Sequence, residues 1–188
     1  RAHIYTPEEN SPAADVALLT DHRYTAGVAA PDDWYLGNIL ADDGLLQAAL
    51  RARGLSSVRV DWADPAIDWS RFGIAVFRTT WDYFDRQAEF LAWLDRVAGC
   101  TRLCNPAALV RWNIDKHYLV ELAQAGVAVV PTRFVEPGAD GRTELDRFLA
   151  GGRGAFTVGT CAAFGQFVVK PSIGAGSRDA ARYTRARL

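Results

Sequence analysis

Methionine is absent from this chain of 188 residues, and Arg1 stands first. The sequence is therefore expected to be an internal piece of a longer reading frame. Cysteine is scarce: Cys100, Cys104 and Cys161 are odd in number and form no CxxC pair, which argues against a disulfide framework and a zinc knuckle. The expectation is three small buried side chains in a reducing, cytoplasmic compartment. His3, His22 and His117 lack metal-ligand spacing. No apolar run approaches the ~20 residues a bilayer crossing needs, so no membrane partner is expected. The first ten residues also lack the apolar middle of a secretory signal. Neither sign of charge dominates, with 21 basic and 22 acidic residues. Bulk charge thus gives no sign of a nucleic-acid surface.

What is present fits an ordinary globular chain, with 49% hydrophobic and 23% charged residues. Residues 1–14 read as a loose terminus. Apolar runs at 15–20, 58–62 and 74–78 read as buried strands. A helix is expected after Asp42 and Asp43 as caps, ending at Gly54. Residues 86–98 carry the apolar spacing of a surface helix, stopped by Gly99, and 101–105 reads as a fourth strand. Such alternation argues for an α/β fold with a parallel sheet and covering helices. The pattern changes near residue 105, dividing a domain at 15–105 from a second at 106–188. Asn105-Pro106 suits a helix start, and Asn113 or Asp115 a second cap for a helix running to Gly126. Residues 127–135 read as a strand interrupted by Pro131, 143–150 as a helix, 151–165 as irregular and glycine-rich, and 167–170 as the last strand.

Chemistry concentrates where that last strand ends. Lys170 closes the apolar run Phe167-Val168-Val169, whose side chains are expected to face a core. Pro171 then takes the chain out of the ladder. Ser172, Gly174, Ala175, Gly176 and Ser177 follow, and such glycines let backbone amides approach an anion. The same residues also fit an edge strand with a surface turn. The loop is neither GxxxxGK[ST] nor a dinucleotide fingerprint, since Asp179 stands where glycine or alanine is needed. Lys116, in the first turn of a helix, opposes the helix dipole and suits an anion; taken alone, it fits an ordinary solvated helix lysine better.

The ordered set Asn105-Pro106, Trp112-Asn113-Ile114-Asp115-Lys116, Gly126-Val127 to Pro131-Thr132, then Val168-Val169-Lys170-Pro171 with its glycine loop resembles the ATP-grasp superfamily. The likeness is to the branch of glutathione synthetases, ribosomal-protein glutamate ligases and a cycloserine-forming ligase. It implies an N-terminal parallel-sheet pre-ATP-grasp domain followed by the first part of an α+β ATP-grasp domain. It also implies that Lys116 and Lys170 contact the phosphates of ATP while residues 172–177 close over them. The implied reaction joins a small-molecule carboxylate to an amine through an acyl phosphate, with Mg2+ present. The family's magnesium ligands follow the glycine loop, so no metal ligand is assigned and the chain is expected to be C-terminally truncated. The alternatives are a non-catalytic nucleotide- or ligand-binding module and an inactive truncated ligase. A homo-oligomer is left open.

Arg78-Thr79-Thr80-Trp81-Asp82 follows a strand at its carboxyl end, where open α/β sheets place ligands. Arg78 and Thr79 are candidates to bind a substrate carboxylate, with Asp82 orienting Arg78 or taking an amine. A structural Arg–Asp pair fits the same residues. Glutathione synthetases are similar here. Asp32, Asp33, Trp34 and Tyr35 suit a loop near that cleft, and Trp62, Trp69, Trp93 and Trp112 suit packing.

Overall fold

The expected run at 15–20 forms β1, Ala14–Thr20, the second strand of a four-stranded sheet. The computed structural model describes residues 14–150 and 166–184. The glycine-rich stretch 151–165 and Cys161 lie outside them. The chain divides into two compact units between Val110 and Arg111.

In the first unit the sheet order is β2 (Ser57–Asp61), β1, β3 (Phe72–Thr79) and β4 (Arg102–Cys104), all parallel. β1 pairs on both edges, so Val16, Ala17, Leu18 and Leu19 form an unbroken apolar stretch and are all buried. The β1-to-β2 and β3-to-β4 crossovers run outward in opposite directions. Right-handed crossovers therefore place α1 (Trp34–Arg51) and α2 (Gln87–Ala98) on opposite faces. Side chains agree: Asp43 of α1 meets Arg59 and Arg78, whereas Phe90 and Trp93 of α2 pack on Trp62 and Phe77. The switch point of this doubly wound sheet lies between the carboxyl ends of β1 and β3.

Two expectations are corrected here. α1 begins eight residues before Asp42, with Asp33 as its cap, its side chain accepting from the Leu36 amide at 2.9 Å. Leu36, Ile39 and Asp43 share a buried face at helical spacing, and that burial overrides the poor helix propensity of Gly37 and Asn38. Asp32 stands in a turn, as expected of a loop, but Asp33 caps the helix and Trp34 and Tyr35 open it, so that Asp42 and Asp43 lie mid-helix. Cys100 and Cys104 are exposed, not buried; Cys104 lies on the edge strand β4, where Leu103 alone turns inward. Trp62, Trp69 and Trp93 are packed in the core, at 0%, 4% and 2% exposure.

α3 (Ala107–Ile114) carries the chain into the second unit. There α4 (Tyr118–Gln124) ends at Gly126, whose φ of 83° is the left-handed value a helix stop favours. α5 (Gly141–Leu149) starts two residues before the expected Thr143, capped by Asp140, which accepts from the Arg142 and Thr143 amides. Residues 127–135 form no strand. Pro131 removes a ladder donor, and among the described residues no strand pairs with the segment; Val127, Val130 and Val135 are exposed. β5 (Gln166–Val169) pairs antiparallel with β6 (Ala181–Thr184), a short strand the sequence did not announce. Val168 and Val169 are 57% and 50% exposed, not directed into a core, because the described ladder has only two strands.

Candidate functional site

In the second unit, β5 ends at Val169 and Lys170 follows it, exposed. The chain after Pro171 returns to the residues before α4. Asp115 and Ile173 form an antiparallel bridge, and the Lys116 amide donates to the Ser172 carbonyl at 3.0 Å. The Lys116 side chain repeats the grip: Nζ donates to the carbonyls of Ser172 at 3.0 Å and Gly174 at 3.1 Å. One lysine thus clasps the loop with both backbone and side chain, across more than fifty residues of sequence. Gly176, Ser177 and Asp179 take positive φ values of 61°, 59° and 54°. Bonds from Arg178 N to the Ala175 carbonyl and from Ala180 N to the Ser177 carbonyl turn the loop into β6. Burial, and then the positive charge of Lys170, push the Lys116 ammonium below the usual lysine range, while Asp115 opposes them. The Lys116 ammonium therefore senses the charge of Lys170. Lys116, Lys170, Ser172, Gly174, Ala175, Gly176 and Ser177 are gathered in one place.

His117 braces this clasp. Its Nδ1 lies 2.6 Å from Asp115 Oδ1, its Nε2 lies 3.1 Å from Glu136 Oε1, and its ring stacks on Phe134 at 3.8 Å. A neutral imidazole has one N–H and cannot donate to both carboxylates; the imidazolium can. The hydrogen bond to Asp115, aided by Glu136, accordingly raises the His117 pKa against the opposing effect of burial. A raised folded-state pKa gives stability that is complete below the ordinary imidazole value near 6.5 and lost as pH rises through the folded value. Across that window the amide protection of Lys116 is expected to fall. His117→Gln should flatten the dependence, and hydrogen exchange corrected for its intrinsic pH dependence would check it.

The three other predicted site residues lie in the first unit. Arg78 does not meet Asp82. Its Nε donates to Asp43 Oδ1 at 2.7 Å, and its other nitrogen reaches Asp42. Strand alternation explains this: Phe77 faces α2, so Arg78 faces α1. The hydrogen bond to Asp43 raises the Arg78 pKa further. Thr79 is buried, its hydroxyl bonded to Thr20 Oγ1 at 2.6 Å. Asp82, 3% exposed, accepts from Trp62 Nε1 at 2.7 Å and Arg86 at 3.1 Å, with His22 at 3.6 Å. Its ion-pair partner is thus Arg86, whose guanidinium lies 4.8 Å from the Trp62 ring centre.

Sequence reasoning missed the residue beside them. Asp21, fully buried just past β1, accepts from Arg23 through both carboxylate oxygens and from the Trp81 amide at 3.1 Å. It ties the carboxyl ends of β1 and β3 together; its one sequence signal is an aspartate directly after a buried apolar strand. Asp61, at the end of β2, has its pKa raised by burial first and by the Asp82 charge as well. Trp62→Phe should leave buried Asp82 short of a donor and lower stability by about 1–2 kcal/mol, measurable by urea unfolding.

Three comparisons bear on this arrangement. The family of D-cycloserine synthetase DcsG N-terminal domains matches residues 16–105. The cycloserine biosynthesis protein DcsG of Streptomyces lavendulae is 41% identical over 171 residues, covering 91% of this chain and 50% of that protein. A crystal structure of D-cycloserine synthetase DcsG superposes with a TM-score of 0.73 at 40% identity, covering 91% of this chain and 50% of that one. The chain spans about half the length of the relatives it matches.

Proposed function

Residues 16–105 are homologous to the N-terminal domain of D-cycloserine synthetase DcsG, and from this we propose that the chain is the N-terminal part of an ATP-grasp ligase joining a carboxylate to an amine. One observation carries the reading: the ammonium of Lys116, beside that of Lys170, gathers the glycine loop through the Ser172 and Gly174 carbonyls. Asp115, the acid whose charge favours the Lys116 ammonium, is itself bonded to His117. Two lysines at the ends of this clasp and a glycine turn suit a polyphosphate. A phosphate oxygen is a better acceptor than a peptide carbonyl, so Lys116 would exchange its loop bonds for charge-assisted ones.

ATP would supply the phosphoryl group that makes a carboxylate reactive. In the proposed reaction a carboxylate oxygen bonds to the γ-phosphorus as the bond to ADP breaks. An amine then attacks the acyl carbon, its surplus proton passes to solvent or to the departing group, and inorganic phosphate leaves carrying that oxygen. Lys116 and Lys170 would hold the transferring charge, and residues 172–177 would keep water from the acyl phosphate. Among the described residues no group of three or more His, Cys, Asp or Glu is placed to hold a metal, so no described residue is assigned to magnesium. A small amino-acid-like substrate would meet the carboxyl edge of the first unit near Arg86, exchanging its pairing with Glu89 for the substrate carboxylate while buried Asp82 holds the guanidinium in place. There Arg78 would act by fixing α1 to the sheet.

The test uses the full-length protein, MgATP and an amino-acid substrate with an 18O-labelled carboxylate. One label in the released phosphate is expected; unlabelled phosphate alongside amide product would overturn the mechanism.

A further inference from the structure

α1 is apolar on both sides. Leu36, Ile39 and Asp43 face the sheet, yet the opposite side, at 100° per residue, carries Trp34, Asn38, Ala41, Leu45, Ala48 and Ala52. Trp34 and Leu45 are 72% and 73% exposed, and the others are exposed as well. A helix facing water ordinarily shows charge there, as α2 does with exposed Glu89, Asp95 and Arg96. On α1 the charges stand instead at the ends and rim: Asp32 and Asp33 at the start, Arg51 and Arg53 at the finish, and Asp42 held by Arg78.

We propose that this face binds the same face of a second copy, with the two α1 helices antiparallel about a two-fold axis near residue 43. The occupant follows from the pattern. In an antiparallel register Leu45 of each helix lies over Ala41 of the other, and Trp34 over Ala52 and Ala48, so each large side chain meets a small one. Asp32 and Asp33 then stand beside Arg53 of the partner copy, and the helix dipoles oppose. A parallel register would set Trp34 on Trp34, Leu45 on Leu45 and Asp33 on Asp33. The helix is 18 residues long, ~27 Å, and an interface of that reach suits a dimer with a Kd of micromolar order.

Sedimentation equilibrium of the full-length protein tests this. Wild type is expected to be a concentration-dependent dimer. Leu45→Arg should weaken it on the order of 100-fold or more by burying a charge at the centre; Ala41→Arg serves if that variant misfolds by circular dichroism. Arg53→Asp should weaken it less, and adding Asp32→Arg should restore it, which only an antiparallel pairing explains. A monomeric wild type, as when another part of the chain covers this face, would overturn the proposal. So would a dimer indifferent to Leu45→Arg, or a charge swap that restores nothing.

Discussion

Lys116→Ala in the full-length protein is expected to raise the Kd for MgATP by roughly 10- to 100-fold, the equivalent of losing one charge-assisted bond to phosphate. Lys170→Ala should act in the same direction. The two effects should not add, because Lys116 also positions the loop through the Ser172 and Gly174 carbonyls. Removing it loosens the segment that Lys170 leads into, so the double variant should fall short of the product of the singles. Lys116→Arg keeps the charge but not the compact geometry of two carbonyl bonds, and should recover only part of the affinity. Titration calorimetry reads all four. Unchanged affinity in both alanine variants would remove the clasp from any nucleotide site.

Asp43→Ala should be the most damaging single change to the first unit, at about 3–5 kcal/mol of unfolding free energy. Asp43 is 1% exposed and accepts from Arg59 at 2.8 Å and Arg78 at 2.7 Å. Arg78 can fall back on Asp42 and water. Arg59, whose side chain is 9% exposed, keeps the Ala26 and Tyr24 carbonyls, both uncharged, as its hydrogen-bond partners among the described residues. The loss therefore leaves a buried guanidinium without its counter-charge, which costs more than the pair contributed. Asp42→Ala is the control. Its carboxylate is 69% exposed, and its removal should change stability by well under ~1 kcal/mol. Urea unfolding of both variants separates the buried bridge from the surface one.

The sheet was legible because burial writes itself into sequence: β1, β2, β3 and β4 each lie within about a residue or two of the apolar runs that announced them. α1 was legible only in its second half. Its first turns contain Gly37 and Asn38, weak helix formers, and what holds them helical is the burial of Leu36 and Ile39 against the sheet. The segment 127–135 misled in the other direction. A run of valines has strand propensity, but a strand exists only with a partner, and Pro131 weakens any ladder there. Asp43 and Asp82 show the same limit at the level of charge. Each was assigned a neighbour in sequence, a helix cap for one and Arg78 for the other, and each found its partners elsewhere: Arg59 and Arg78, then Arg86 and Trp62. The approach of Lys116 to the loop was readable only as a family resemblance, because no local rule joins residues so far apart in the chain.

The central claim is that Lys116, Lys170 and residues 172–177 form the phosphate cradle of a nucleotide site. Hydrogen exchange of the full-length protein with and without MgATP tests it most directly. Slowed exchange at Lys116 and across 170–177, absent in Lys116→Ala, is the expected result. Tight MgATP binding that leaves these amides unprotected would contradict it.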